Sequence, residues 1–330
     1  MAEKSRDSTR RYYQIGGITI QIESDLAITE KTFQPTLKSF EMDGPGEDTI
    51  YLTHHFKLPD LPTLALGKEV YRRPPWAIYH SPHTWTYVCF VEREGRGLMD
   101  SLFKMWRMVG ADRKSNTEKK SLSGSLPKRC ISQIAVFDTT YTTGKIFNKS
   151  KFRFRRGRHN SLTLFPTDQI LLAHVLADRN GCYLHAGGVV LDGKGLLFVG
   201  HSEAGKTTIV SMLKGRATIL CDDRIIVRRW PEGFRIHGTW SHGDLPDVSG
   251  ESAPLQAVLF LEQSTHTRLV PLTQKKEVVP RLLDCLIKPH LTVEWWEKIF
   301  PLITLIPDHV PCYQLFFNTS GDVVDTLREL

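Results

Sequence analysis

Residues 200–207 read Gly200, His201, Ser202, Glu203, Ala204, Gly205, Lys206, Thr207. The spacing G-x-x-x-x-G-K-[ST] suits a loop that holds phosphate. The glycines let backbone N–H groups converge on phosphate oxygens with no Cβ in the way. Lys206 adds a mobile cation for the same oxygens, and the Thr207 hydroxyl is a hard oxygen ligand suited to Mg²⁺. These eight residues and Thr208, which opens the helix beyond, form the expected nucleotide-binding set, with ATP as cofactor.

Two carboxylates, Asp222 and Asp223, interrupt the apolar run Ile219 to Val227, 16 residues beyond Lys206. Phosphoryl chemistry needs one carboxylate on the metal side and often a second to take the proton of an attacking hydroxyl. Adjacent residues of a regular strand face opposite ways, so both reach one site only if the strand ends or bends there. His185 precedes the loop by 21 residues, in the segment Tyr183 to Gly188. On spacing alone it is either a satisfied structural histidine or a functional one.

The flanks of the loop fit its use. Val189 to Leu191 and Leu196 to Val199 read as apolar strands joined by an Asp192-Gly193-Lys194-Gly195 turn. Thr208 to Lys214 has helical spacing and stops at Gly215, so the helix N-terminus faces the loop. Further on, Phe234 to His237, Leu255 to Leu261 and Tyr313 to Phe317 read as strands, and Val278 to Ile287, Val293 to Leu305 and Gly321 to Leu330 as helices. Gly238 to Asp244 is a loop rich in hydrogen-bonding groups, either a lid or an ordinary surface loop. Arg268 lies in a turn that could reach the phosphates.

The first half reads differently. Residues 1–14 are expected to be a loose arm. Gly17 to Glu23 alternates as a half-buried strand, Phe33 to Phe40 is expected to be a strand or extended connection, and Thr49 to Phe56 a strand. Short strands with turns between them follow at Glu69 to Tyr71, Trp76 to His80 and Trp85 to Arg93, then at Ile131 to Phe137 and Tyr141 to Phe147. Leu98 to Met108 has helical spacing, and Asp112 to Lys128 reads as a loop. The pattern predicts an antiparallel, mostly β N-terminal domain over 1–165 and an α/β nucleotide-binding domain over 166–330, with a helix at Asp168 to Ala177 near the junction.

Composition limits the partners. The chain of 330 residues carries a net charge of +7, with 41% hydrophobic and 24% charged residues. Residues 101–160 hold 15 Lys and Arg against 3 Asp and Glu, whereas 181–330 hold 15 against 17. The basic stretch Lys151 to Arg158 alternates at first, which predicts a strand with its cations on one face. It is either a solvated strand and turn, a docking face for an acidic or phosphorylated partner, or a nucleic-acid stripe; no nucleic-acid module accompanies it. No apolar run of about 18 residues predicts a membrane span, and the polar start predicts no secretory signal. Six cysteines without a C-x-x-C pair fit reduced thiols, so a cytoplasmic protein is expected.

His185-Ala186-Gly187, a strand, a Gly turn, a second strand, the loop Gly200 to Thr207 and then Asp222-Asp223 together resemble the catalytic domain of bacterial HPr kinase/phosphorylase. The resemblance spans roughly 180–320 and extends to the wider HPr-kinase-like group, distantly related to ATP-dependent phosphoenolpyruvate carboxykinase. It implies that His185 lies beside the transferred phosphate, that Asp222 is the general base and that Asp223 joins Thr207 on the metal, with Lys206 neutralising charge. Departures are Ser202-Glu203-Ala204 where the family has Ser-Gly, no match to its glycine-rich signature segment, and an unrelated first half. Lasso-peptide-tailoring kinases of the same group are as close a resemblance.

The expected function is therefore an ATP- and Mg²⁺-dependent kinase acting on a hydroxyl, foremost a Ser or Thr of a protein or peptide that docks on the basic 101–160 region. A small-metabolite kinase and a nucleotide-binding regulatory module are the alternatives. A homo-oligomer is compatible with the sequence.

Overall fold

The computed structural model describes residues 8–73, 76–90, 131–163, 167–289 and 292–330. The expected helix at Leu98 to Met108 and loop at Asp112 to Lys128 lie outside the described residues, as does half of the basic 101–160 region.

Nine strands of the first half form one sheet. They are β1 (Ser8–Ile15), β2 (Ile18–Ile28), β3 (Glu41–Met42), β4 (Thr49–His55), β5 (Lys68–Arg73), β6 (Trp76–His80), β7 (Thr84–Phe90), β8 (Ile131–Asp138) and β9 (Thr143–Asn148). Their order is β3-β1-β2-β4-β9-β8-β7-β6-β5. The sheet is mixed, not antiparallel throughout: β4 runs parallel to both β2 and β9. The reason lies between β2 and β4, where a 3-10 helix (Pro35–Phe40) replaces the extended segment expected there and returns the chain to the starting edge; parallel pairing needs such a crossover. Residues 8–14 are likewise not loose, since Ser8–Ile15 pairs with β2. Alternation sets the faces, with Ile50, Leu52 and His54 of β4 buried.

The basic stretch at 151 is a helix, α1 (Lys151–Arg156), rather than a strand. The Ser150 hydroxyl caps it by accepting the Phe152 N–H at 3.1 Å, and Gly157 closes it at φ +76°. Helix α2 (Thr167–Ala177) follows.

The second half contains β10 (Gly181–Leu184), β11 (Ala186–Leu191), β12 (Lys194–Val199), β13 (Thr218–Cys221), β14 (Ile225–Trp230), β15 (Gly233–His237), β16 (Ser252–Gln263), β17 (Arg268–Pro271) and β18 (Cys312–Phe317). Their order is β10-β14-β15-β16-β12-β11-β13, with β18 beside β16 and β17 beside β18. Strands β12, β16 and β18 run parallel. Helices α3 (Lys206–Met212) and α6 (Val323–Arg328) cover one face, where Ile209, Val210, Val324 and Leu327 cluster with Phe198, Leu259 and Leu315. Helices α4 (Lys275–Cys285) and α5 (Val293–His309) cover the other, with Val278, Leu282 and Ile303 against Leu197, Val199 and Val258. The chain is thus α/β. Its two halves share a core: Leu171, Leu172 and Val175 of α2 join first-sheet isoleucines to Tyr183, Ile226, Trp240 and Ile287.

Candidate active site

The loop between β12 and α3 has a shape that its sequence enforces. Gly205 takes φ +98°, and a Cβ on it would lie 2.6 Å from the Phe317 ring. A Cβ on Gly200 would meet Ala204 at 2.6 Å. Glu203 also adopts a left-handed conformation, φ +73°, unusual for a residue other than glycine. Gln263 Nε2, at the end of β16, donates to the Glu203 carbonyl at 3.1 Å and ties the loop to the carboxyl edge of the parallel strands, where open α/β sheets bind ligands.

Lys206 is buried. Its ammonium donates to the carbonyls of Gly200 (2.8 Å) and His201 (2.9 Å), so the loop wraps around the charge. Burial lowers its pKa, and nearby acidic groups, Asp222 and Asp223 among them, only partly offset this. One residue on, the Thr207 hydroxyl donates to Asp222 Oδ2 at 2.9 Å. The expectation grouped Thr207 with Asp223; the hydroxyl meets Asp222 instead.

Strand β13 ends at Cys221, so the aspartates occupy the bend before β14. The two side chains lead different lives. Asp222 is 1% exposed. Besides Thr207 it accepts the Gly243 N–H at 2.7 Å and the Leu245 N–H at 3.1 Å, both from the loop after β15. Asp223 keeps 16% of its side chain exposed, with Oδ1 3.0 Å from His185 Nε2 and Oδ2 against the Arg224 guanidinium. Burial, the largest influence on Asp223, pushes its pKa up. The His185 hydrogen bond and the Arg224 charge outweigh it, so the carboxyl titrates below its ordinary value.

Topology explains why His185 arrives here. It is the bend between β10, paired with β14, and β11, paired with β13. Both strand pairs switch partners at one level, which sets His185 across from Asp223. The His185 N–H donates to the Cys285 carbonyl at 2.7 Å, and the Ala186 N–H to the Asp223 carbonyl at 3.1 Å.

Lys206, Thr207, Asp222, Asp223 and His185 therefore converge. The exposed side chains of His201, Ser202, Glu203 and Thr208 make no hydrogen bond to the Asp pair among the described residues; His201 and Glu203 contribute backbone carbonyls. Arg268 opens β17, with its guanidinium 4.1 Å above the Phe316 ring. Surface hollows at Gly193 and Gly215 to Thr218 lie at the opposite end of α3. Arg224 and the amides of Gly243 and Leu245 were not singled out from sequence. Arg224 had a signal, since a cation inside an apolar run calls for a buried partner. The amides had none.

Among the described residues no three His, Cys, Asp or Glu side chains cluster as a metal site. The Thr207–Asp222 pair offers hard oxygens of the kind Mg²⁺ takes alongside water and phosphate.

The family described as SynChlorMet cassette protein ScmC matches residues 162–329. Comparison with curated proteins gives no match. Among solved structures, the Hpr(Ser) kinase/phosphatase from Coxiella burnetii is similar over 44% of this chain and 93% of that one, at 13% identity and a TM-score of 0.28. A likeness that loose establishes neither a shared fold nor a shared activity.

Proposed function

The chain belongs to the SynChlorMet cassette protein ScmC family, and from the arrangement of its glycine loop and aspartates we propose that it is an ATP- and Mg²⁺-dependent phosphotransferase acting on a hydroxyl, foremost a Ser or Thr of a protein or peptide. The observation that carries the reading is the Thr207–Asp222 contact. It couples the residue after the loop lysine to a buried carboxylate, the pairing a nucleotide-bound metal needs.

ATP·Mg²⁺, when bound, supplies the phosphoryl group and the charge that balances its transfer. In this reading Gly200 to Thr208 binds the phosphates through backbone N–H groups, and Lys206 adds the mobile charge. Thr207 and Asp222 hold the metal. Asp223 takes the acceptor's hydroxyl proton on its carboxylate: it is the aspartate with an exposed edge, Arg224 keeps it ionised, and His185 Nε2 orients it. The resemblance implied the reverse order for the two aspartates. Asp222 favours the exchange because three donors already occupy its oxygens.

The test is incubation of the purified protein with γ-labelled ATP, Mg²⁺ and a native lysate or a metabolite extract. Label in a macromolecule supports the reading. Label only in small molecules moves the acceptor to a metabolite, and no label with either refutes the transferase.

A further inference from the structure

Helix α1 presents a surface that the fold does not require. About 100° separates successive residues of an α-helix, so Phe152 and Phe154 point in nearly opposite directions. Phe154 is 2% exposed and packs its ring edge-on to Phe56 at 4.8 Å. Phe152 is left 70% exposed. Arg155 and Arg156 flank it at about 60° and 40° on either side, and Lys151 and Arg153 at about 100° on either side. All four are exposed, as is Arg158 just past the cap.

None of these five cations has a carboxylate within ion-pair distance among the described residues. The helix is held firmly. Phe154 anchors one side, and a Cβ on Gly157 would be 2.1 Å from the Lys31 carbonyl, which also accepts the Arg158 N–H at 2.7 Å. The helix dipole favours cations in the last turn. It favours neither Lys151 in the first turn nor a bare phenyl ring at the centre of the exposed arc. Like charges crowded on two turns repel, so the arrangement costs stability unless an anion meets it.

We propose that α1 with its closing turn is a docking surface for an acidic peptide segment carrying one apolar side chain, which covers Phe152 while its carboxylates meet the surrounding guanidinium groups. Exposed aromatic and Arg side chains are the residue types that dominate interface energetics once water is excluded, and arginine pairs with carboxylates in a bidentate fashion. Other polyanions fit less well. A single-stranded nucleic acid needs successive stacking platforms along a groove, and this convex helix of about 9 Å has one ring. A membrane-lying helix needs a continuous apolar face, and one phenyl is not that. The proposal does not rest on phosphoryl transfer, because binding can be read without nucleotide.

The experiment is fluorescence anisotropy of the full chain with a labelled peptide Glu-Asp-Glu-Leu-Glu-Asp-Glu and its Leu-to-Ala counterpart. A uridine 15-mer and phosphatidylserine vesicles serve as competitors. The wild type should bind the leucine peptide more tightly than the alanine one, and Phe152→Ala should remove that preference with about a tenfold loss. Arg155→Glu/Arg156→Glu should abolish binding, whereas Arg155→Lys/Arg156→Lys, with unchanged melting, should keep most of it. Equal binding of both peptides, or undiminished binding by the charge-reversed variant, overturns the proposal. So does tighter, equally variant-sensitive binding of the 15-mer or the vesicles.

Discussion

Replacing Asp222 with Asn keeps the volume and removes the charge at a site where three donors converge. The amide oxygen can keep one partner, most simply the Gly243 N–H at 2.7 Å. The amide nitrogen then faces Thr207, whose hydroxyl can turn to accept, and the Leu245 N–H, which cannot. One partly buried N–H is left unpaired, at about 1–3 kcal/mol, and the surviving bond loses its charge assistance, about another 1 kcal/mol. The expected loss is roughly 2–4 kcal/mol, which at about 2.1 cal/mol/K of unfolding entropy per residue over 330 residues lowers Tm by roughly 3–6 °C. The damage should be local first. Amide exchange at Gly243 and Leu245 should quicken by about tenfold for each 1.4 kcal/mol lost locally, while amides in β1 and β2 keep their protection. Hydrogen exchange read by mass spectrometry over 238–250, beside a thermal melt, measures both quantities. If Tm and the exchange of these two amides stay at wild-type values, Asp222 does not hold the loop.

Lys206→Ala should leave melting within a few degrees and remove measurable ATP·Mg²⁺ affinity in calorimetry; unchanged affinity would refute the phosphate-loop assignment. Asp223→Asn should bind ATP·Mg²⁺ nearly normally and slow transfer by about 10²–10⁴-fold, and retention of full transfer to an identified acceptor would remove the base role. Burial holds His54 at about 4 and His237 at about 3. Between the ordinary histidine value of about 6.5 and those values the unfolded chain binds protons that the folded chain does not. Stability is therefore full above pH 6.5 and falls as pH drops towards 4, by roughly 2–3 kcal/mol for His54 alone. Urea midpoints at pH 7 and pH 4.5 test this, and His54→Gln should remove about half of the difference, the rest remaining with His237.

The loop was legible because its chemistry is local: two glycines, a lysine and a hydroxyl fix one another within eight residues. The bend at Asp222 was legible as a condition, since only a strand that ends there lets both carboxylates face one site. Which aspartate meets Thr207 was not, because the choice is made by Gly243 and Leu245, whose backbone carries no sequence signature. The Lys151 stretch misled for a physical reason. Phe-x-Phe satisfies a period of two, but the Ser150 cap and Gly157 stop favour a helix, and the two rings then part to opposite sides. Parallel pairing of β4 was equally hidden, since strand direction is set by the crossover through Pro35–Phe40 and not by the alternation of β4 itself.

Trp240 has a consequence for anyone who would cut this chain. It lies in the loop that presents Gly243 and Leu245 to Asp222, it is 2% exposed, and its ring meets Phe40 edge-on at 5.3 Å. A Cβ on Gly250, at the far end of that loop, would lie 2.7 Å from the Ser39 carbonyl. The scaffold behind the carboxylate thus belongs to the other half of the molecule. A fragment begun near residue 166 would strip the cover from a ring that buries roughly 150–250 Å², about 4–6 kcal/mol of apolar transfer. Such a fragment would retain every residue of the loop motif and both aspartates, yet lack the wall that keeps them in register, so grafting the second half onto a foreign partner would transplant the signature without its precision.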